Sequence, residues 1–458
     1  MNPAALESRL AGIAGREAVT VRALHDLWPL ALMRDRAGRS APPTVVVRPS
    51  SYEQVTQVLK LASTEGFGIA PVGGGSGVCG AVDPAGNEVG LDLSALDAIL
   101  EVDEHDLTCR VQAGVVGMRL EEHLLGRGLT LGHYPSSLGV STVGGLIATR
   151  SSGQQSTYYG SVEDLVAGLT VALPDGRVLS PLPGPRSAVG PALQQLLVGS
   201  EGGLGVILEA VLKVRRLPEE TIGSGYLFKT VDAGLEAMRR VMQRDLRPLV
   251  LRLYDPEDTA FQGLGLSGCL LVVGVAGPYG VAAAQARAVQ ESVAPGEVLG
   301  EDPWSHWTRR RFALDAEALR RYLEPACTFV DTIEVAASWR RLPDLYREVK
   351  TELAQVGLAL CHFSHAYPQG CCAYFTFGGR ADDEPDAEAA YQRAWRGAME
   401  ACHRHGATIS HHHGVGQVRA AWVRQELGGW WHVWEAVRAA VDHRGVMNRH
   451  AVGGRGDD

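Results

Sequence analysis

From about Pro43 onward the chain alternates short apolar runs with amphipathic stretches. The β-branched run Thr44-Val45-Val46-Val47 reads as a buried strand. Ser51, with Gln54 three positions on, forms a capping box, and Val55, Val58, Leu59 and Leu61 recur at helical spacing until Gly66. Ile69 resumes an extended segment that runs into glycines. Residues 166–173 and 177–179 flank Pro174-Asp175-Gly176, a hairpin signal, and a further strand is predicted over 206–214. Past Pro218 the texture changes. A strand at 226–229, a helix at 233–242, strands at 249–253 and 269–275 and a helix at 281–289 predict half of a ferredoxin-like antiparallel sheet. Strands follow at 328–334, 358–367 and 371–377, and the tail is predicted helical over 418–442. The main boundary falls near residues 216–222.

Two glycine patches interrupt this alternation, Pro71-Val72-Gly73-Gly74-Gly75-Ser76-Gly77 and Glu201-Gly202-Gly203-Leu204-Gly205-Val206-Ile207. Residues 73–77 can take positive φ and present successive amides as an anion-binding nest. Residues 73–77 do not by themselves fit the G-x-G-x-x-G spacing of a Rossmann fingerprint, and no Lys-Ser/Thr follows, which excludes a P-loop. Two such bends in one apolar region predict a long, extended cofactor.

Composition narrows the partners. The chain has 458 residues, 45% hydrophobic and 21% charged, which suits a globular protein of two or more domains. A net charge of −9, with no basic stripe, argues against nucleic acid. Eight scattered cysteines without C-x-x-C pairs point to reduced thiols and a cytoplasmic setting. No signal peptide is visible, and the most apolar internal stretch, 269–284, is broken by glycines and Pro278. Peripheral contact with a membrane surface stays open.

Three features carry candidate chemistry. Ser410-His411-His412-His413-Gly414-Val415-Gly416 offers imidazoles as proton carriers or donors to an anion, against an exposed polar turn or adventitious metal site. Tyr374 lies in a strand-like alternation, either as packing or as a phenol whose pKa is lowered by nearby cations. Arg252 either pairs with a carboxylate such as Asp255 or grips a substrate phosphate or carboxylate.

Taken together these residues resemble the flavoenzymes whose FAD domain is shared by vanillyl-alcohol oxidase and the D-lactate and glycolate dehydrogenases. Four patches carry the resemblance, which extends from about residue 40 to the C-terminus: 71–77, Ser136-Ser137-Leu138-Gly139-Val140-Ser141-Thr142, Thr149-Arg150-Ser151-Ser152-Gly153, and 201–207. It implies an α+β fold: an N-terminal helical segment (1–40), a two-subdomain PCMH-type FAD-binding domain (41–218), an antiparallel, ferredoxin-like cap (219–415), and a C-terminal helical segment (416–458) returning to the first domain, with Asn448 closing on the flavin. No histidine lies within residues 71–80, so FAD is expected to be held without a covalent bond.

Within that group the chain is most similar to the alkyldihydroxyacetonephosphate synthases. The matching motifs are Ser141-Thr142-Val143-Gly144-Gly145, Tyr159-Gly160-Ser161-Val162-Glu163-Asp164-Leu165-Val166, Gly184-Pro185-Arg186-Ser187, Arg252-Leu253-Tyr254-Asp255 and the histidine run. The resemblance implies exchange of the acyl chain of acyl-dihydroxyacetone phosphate for a fatty alcohol through a flavin N5 adduct. Tyr374 would transfer the proton, Arg252 would position the substrate, His411, His412 and His413 would support flavin and substrate, and Arg320, or its neighbour Arg321, would hold the phosphate. A small-molecule or lipid substrate and a homodimer are implied. The chain departs from the pattern at Gly203, where the family carries threonine, and at Gln417, where it carries lysine. The rival reading is a 2-hydroxy-acid dehydrogenase. Those relatives hold a divalent metal with Gly-His-x-x-x-x-x-x-His and Glu-His-Gly. Here Cys372 and His412 replace one histidine and the glutamate, so no metal is expected, although thiolate and imidazole together suit zinc. A flavin protein that has lost catalysis is a third reading.

Overall fold

A computed structural model describes residues 3–84, 88–180, 184–312 and 316–454. Ser51 caps the helix Tyr52–Glu65 by accepting from the Gln54 amide, and Gly66 ends it at φ +78°. The strand Gly68–Val72 follows. It lies at the edge of a four-stranded sheet ordered Val19–Arg22, Thr44–Val47, Glu88–Asp92, Gly68–Val72, whose last three strands are parallel. A second, antiparallel sheet is ordered Ile99–Asp103, Thr108–Gln112, Val206–Lys213, Val166–Ala172, Val178–Leu179. Val206, Leu208 and Ala172 pack into the same core as Val55, Leu59 and Ile69, which joins the two sheets.

Two elements differ from expectation. The first forty residues are not all helix, because the alternating β-branched run at Val19–Arg22 pairs with Thr44–Val47. The tail is two helices, Ala420–Leu427 and Trp430–Val441, broken where Gly428 takes φ +52°.

The second half is a seven-stranded antiparallel sheet ordered Glu297–Gly300, Glu220–Phe228, Cys269–Gly277, Val250–Tyr254, Leu358–Ala366, Gly370–Arg380, Thr328–Ser338. Because side chains alternate along a strand, register divides it into two unlike faces. The back face is apolar except for Asp331, which bonds Tyr391 and Trp395. Leu251, Leu253, Leu271, Val273, Phe363, Phe375, Ile333 and Val335 are buried there in one core with residues of the helices Val231–Gln243, Val281–Val293, Leu342–Ala354 and Glu384–His405. The front face is polar at its centre, where register aligns Tyr254 with His362, His362 with Tyr374, Tyr374 with Glu334, and Ser364 with Cys372. It looks onto the first half: Ser156 Oγ lies 2.6 Å from His365 Nδ1, and the Ala366 amide donates to Thr157 Oγ1 at 3.1 Å.

The back-face core fixes that register, since a slip of one residue would turn the polar row into the apolar layer. Phe375→Ala, at a fully buried position, is expected to cost about 3–5 kcal/mol in urea unfolding. A loss below about 1 kcal/mol would mean that this core does not set the sheet.

Candidate active site at the seam of the two halves

The histidine run is held by a fully buried carboxylate. Glu334 Oε1 accepts from Ser410 Oγ (3.0 Å) and from the amides of His412 (3.2 Å) and His413 (2.9 Å), and the Glu334 carbonyl accepts from the His411 amide (3.2 Å). Glu334 Oε2 meets the guanidinium of Arg419 and stands 3.0 Å from His413 Nδ1. Arg419 is equally buried. It donates from Nε to the Ile409 carbonyl and from Nη1 to the Gly414 carbonyl and Cys79 Sγ, and it lies over the Trp395 ring. Burial alone would push the Glu334 carboxyl up, but Arg419 and then His413 outweigh it and hold it well below the usual range.

Glu201 grips the other end of the same loop. Its carboxylate accepts from the amides of Val415 (2.6 Å), Gly416 (3.2 Å) and Val452 (3.0 Å), while burial pushes its pKa up against those three bonds. The Glu201 carbonyl accepts from Asn448 Nδ2 at 2.8 Å, and the same nitrogen reaches the Ala81 carbonyl at 2.9 Å. Glu201 and Asn448 therefore brace the loop and the tail against the first half. Gly203 has its own reason: a Cβ there would stand 2.9 Å from the Ala451 Cβ.

The glycine and hydroxyl patches come together. Of the first loop only Gly75 has positive φ, +62°, with open space where its Cβ would be. Gly73 and Gly74 are required by close approach instead, since a Cβ would run into Thr142 Oγ1 at one and the Val140 carbonyl at the other. Ser76, Ser141 and Ser137 link through their hydroxyls at 2.7 Å each, and Thr142 caps the helix Val143–Ala148. Gly202 abuts the Pro71 ring. Thr149 Oγ1 turns back on the Gly145 carbonyl, Arg150 pairs with Glu163, Ser152 bonds Ser161 (2.6 Å), and Ser136 Oγ accepts from Gln154 (3.3 Å). Ser151, Leu204, Val206 and Ile207 are buried beneath. The positive-φ amide at Gly75 beside a row of hydroxyls is a donor set suited to a phosphate diester.

Tyr374 faces this seam. Its ring stacks on His362 (4.7 Å, 17°), lies nearly parallel to His412 (6.0 Å, 27°) and meets His413 edge-on (5.6 Å, 87°). Of the two readings of this phenol, the lowered pKa is not met. Burial raises it and outweighs the nearby Arg252 cation, so the hydroxyl stays protonated. Asp255 does not pair with Arg252 either. It sits past the strand end, caps the helix Pro256–Phe261 and meets Lys350. Arg252 lies instead over the Tyr254 ring at 5.2 Å, and among the described residues its Nε has no hydrogen-bond partner. Burial, then Arg252, push the neighbouring His362 down to about 4.

His411 Nε2 meets the Tyr367 hydroxyl at 2.8 Å, and His411 Nδ1 meets His412 Nδ1 at 2.8 Å. Cys372 lies beside them, with ligand-capable atoms of all three within 4.8 Å of one another. Arg320 is not brought to this group: it lies exposed on the helix Ala316–Leu323, beside Arg321, which pairs with Glu317. Glu334, Arg419, Cys79, His362 and Tyr367 were missed from sequence. The available signal was Glu334 itself, a carboxylate inside the apolar strand Thr328–Ser338.

Glu201→Leu is expected to cost about 1–3 kcal/mol for each amide left without an acceptor, and to expose the chain beyond Asp442 to protease. Unchanged melting and unchanged protection of the tail would contradict the bracing role.

The comparisons with known proteins agree with this geometry. Residues 43–180 match the family model described as FAD binding domain, and residues 217–452 match that of the FAD linked oxidases, C-terminal domain. The chain is 31% identical to an alkyldihydroxyacetonephosphate synthase of Dictyostelium discoideum, over 91% of this chain and 74% of that one. It is 30% identical to an uncharacterized FAD-linked oxidoreductase, YgcU, of Escherichia coli K12, over 90% and 89%. A solved alkyldihydroxyacetonephosphate synthase superposes with a TM-score of 0.81 at 25% identity, over 98% of this chain and 85% of that one. No helix among the described residues is long and apolar enough to cross a membrane. With both halves matched in order along the chain, this protein belongs to the FAD-linked oxidase family and is an FAD-dependent enzyme.

Proposed function

We propose that the enzyme is of the alkyldihydroxyacetonephosphate synthase type, exchanging the acyl chain of acyl-dihydroxyacetone phosphate for a fatty alcohol. The observation that carries this reading is the group on the front face: a protonated Tyr374 among three imidazoles, with the Arg252 charge close to it and to His362. The relatives named as synthases support it.

FAD would be held without a covalent bond, with residues 71–77 holding its pyrophosphate and the hydroxyl-bearing patches 136–142 and 149–152 holding its remainder. Bound there, it would supply an electrophilic ring nitrogen for the exchange. The chain's own side chains do the rest. Arg252 anchors the anionic end of the substrate, a role for which its unpartnered Nε suits it better than exposed Arg320. Tyr374 transfers the proton at the reacting carbon, and His412, kept neutral by burial, is the nearby base.

The test supplies labelled acyl-dihydroxyacetone phosphate and a fatty alcohol to the purified yellow protein. Ether formation without oxygen uptake supports the synthase reading. Bleaching of the flavin by a 2-hydroxy acid, with no ether formed, would replace it by the oxidoreductase reading. Tyr374→Phe is expected to keep FAD and to lose at least about a hundredfold in kcat; near-normal turnover would remove Tyr374 from the chemistry. Gly74→Val is expected to lose FAD, because its side chain would displace the Val140 carbonyl from the loop. Stoichiometric flavin in that variant would contradict the placement of the cofactor.

A further inference from the structure

We infer that His412, His411 and Tyr367 form a proton relay that carries the proton released in each turnover from the seam to the turn after strand Leu358–Ala366 of the seven-stranded sheet. For the source of the proton the inference rests on the exchange reaction proposed above. In that reaction the ester C–O bond breaks and its electron pair leaves with the carboxylate. The alcohol O–H bond also breaks and the ether C–O bond forms. At neutral pH the carboxylate does not retake the proton, so one proton must leave a site closed between two packed halves.

The geometry provides the route. His412 lies against Tyr374. Its Nδ1 is 2.8 Å from His411 Nδ1, and His411 Nε2 is 2.8 Å from the Tyr367 hydroxyl. Tyr367 is 39% exposed, and its hydroxyl also reaches Ser161, so the contacts lead from the site to a partly exposed side chain. Two opposite arrangements of protons satisfy these two contacts, and one of them leaves an acceptor for the incoming proton. In it His412 donates from Nδ1 to His411 Nδ1, and His411 donates from Nε2 to the tyrosine oxygen, which leaves His412 Nε2 as the acceptor on the site side. A proton taken there is matched by one passed from each ring in turn, and the hydroxyl hydrogen of Tyr367 leaves to water. No ring stays charged.

The surroundings suit that traffic. A neutral imidazole accepts on one nitrogen while donating from the other, and burial pushes His411 down to about 4 and His412 well below its ordinary range. Burial also raises Tyr367, which keeps its hydroxyl protonated. The charged and titratable groups facing the two rings are Glu334, His413 and His365, with Cys372 beside them. Glu334 is already committed to Arg419 and to the loop amides, so it holds the rings in place without taking the proton.

The test uses the FAD-loaded enzyme with Tyr367→Phe and His411→Gln. Each variant is expected to keep its flavin and KM and to lose roughly a hundredfold in kcat. Each should recover part of that loss when imidazole is added as a diffusible carrier, and show an altered solvent deuterium isotope effect. The double variant should be no slower than either single one. In the wild type a pH-indicator dye should register one proton per ether formed. A Tyr367→Phe enzyme within twofold of wild type with an unchanged isotope effect would overturn the relay, as would a loss that imidazole does not relieve. A wild type that makes no ether would overturn the function proposed above and not the relay. The variants are then compared by the rate of flavin bleaching by a 2-hydroxy acid, which also cleaves an alcohol O–H bond. A slowed rate that imidazole restores would support the relay there, and an unchanged rate would overturn it.

Discussion

The buried pair of Glu334 and Arg419 is the contact on which the rest of the site depends. Each ion taken out of water costs several kcal/mol, and a pair alone seldom recovers that. Here the cost is offset by a full set of bonds. The carboxylate also accepts from Ser410 and two loop amides, and the guanidinium satisfies two carbonyls and a thiol. Those extra partners are the loop itself. A bare turn carrying three adjacent imidazoles would be solvated and mobile. Tied to one buried carboxylate, it presents His411, His412 and His413 in fixed directions.

The position of Glu334 follows from the sheet. Its strand turns Phe329, Ile333 and Val335 to the back, with Asp331 bonded there to Tyr391 and Trp395, so alternation turns Glu334 forward in register with Tyr374. The same alternation puts Arg252, His362 and Cys372 on that face. Glu201 then fastens the far end of the histidine loop to the first half, and Asn448 fastens the tail there. Two carboxylates, one from each half, hold a single loop between them. The seam is therefore built from both halves at once, and burial there keeps Tyr367 and Tyr374 protonated and His411 and His412 neutral.

Much of the fold was legible because local signals are strong where one face must be buried. The helix Tyr52–Glu65, the hairpin at residues 174–176 and the strand Gly370–Arg380 all announce themselves by period and by turn residues. The α+β class and the FAD cofactor followed from glycine and hydroxyl patches that recur as sets. Less legible was anything set by contacts between distant residues. Strand Val19–Arg22 needs its partner at Thr44–Val47 to be a strand at all. The two readings of Tyr374 could not be separated, because burial cannot be read from neighbouring residue types. Gly74 is conformationally ordinary and is required by a carbonyl some seventy residues away. Glu334 and Arg419 lie 85 positions apart, and neither stands in a motif.

Hydrogen–deuterium exchange across residues 410–419 in the wild type, Glu334→Gln, Arg419→Met and the double variant tests the role of the pair most directly. The account predicts that either single change raises exchange of the His412 and His413 amides by at least about tenfold, and that the double change adds little to the larger single effect. Protection of those amides that survives both single changes, with each variant folded, would contradict it.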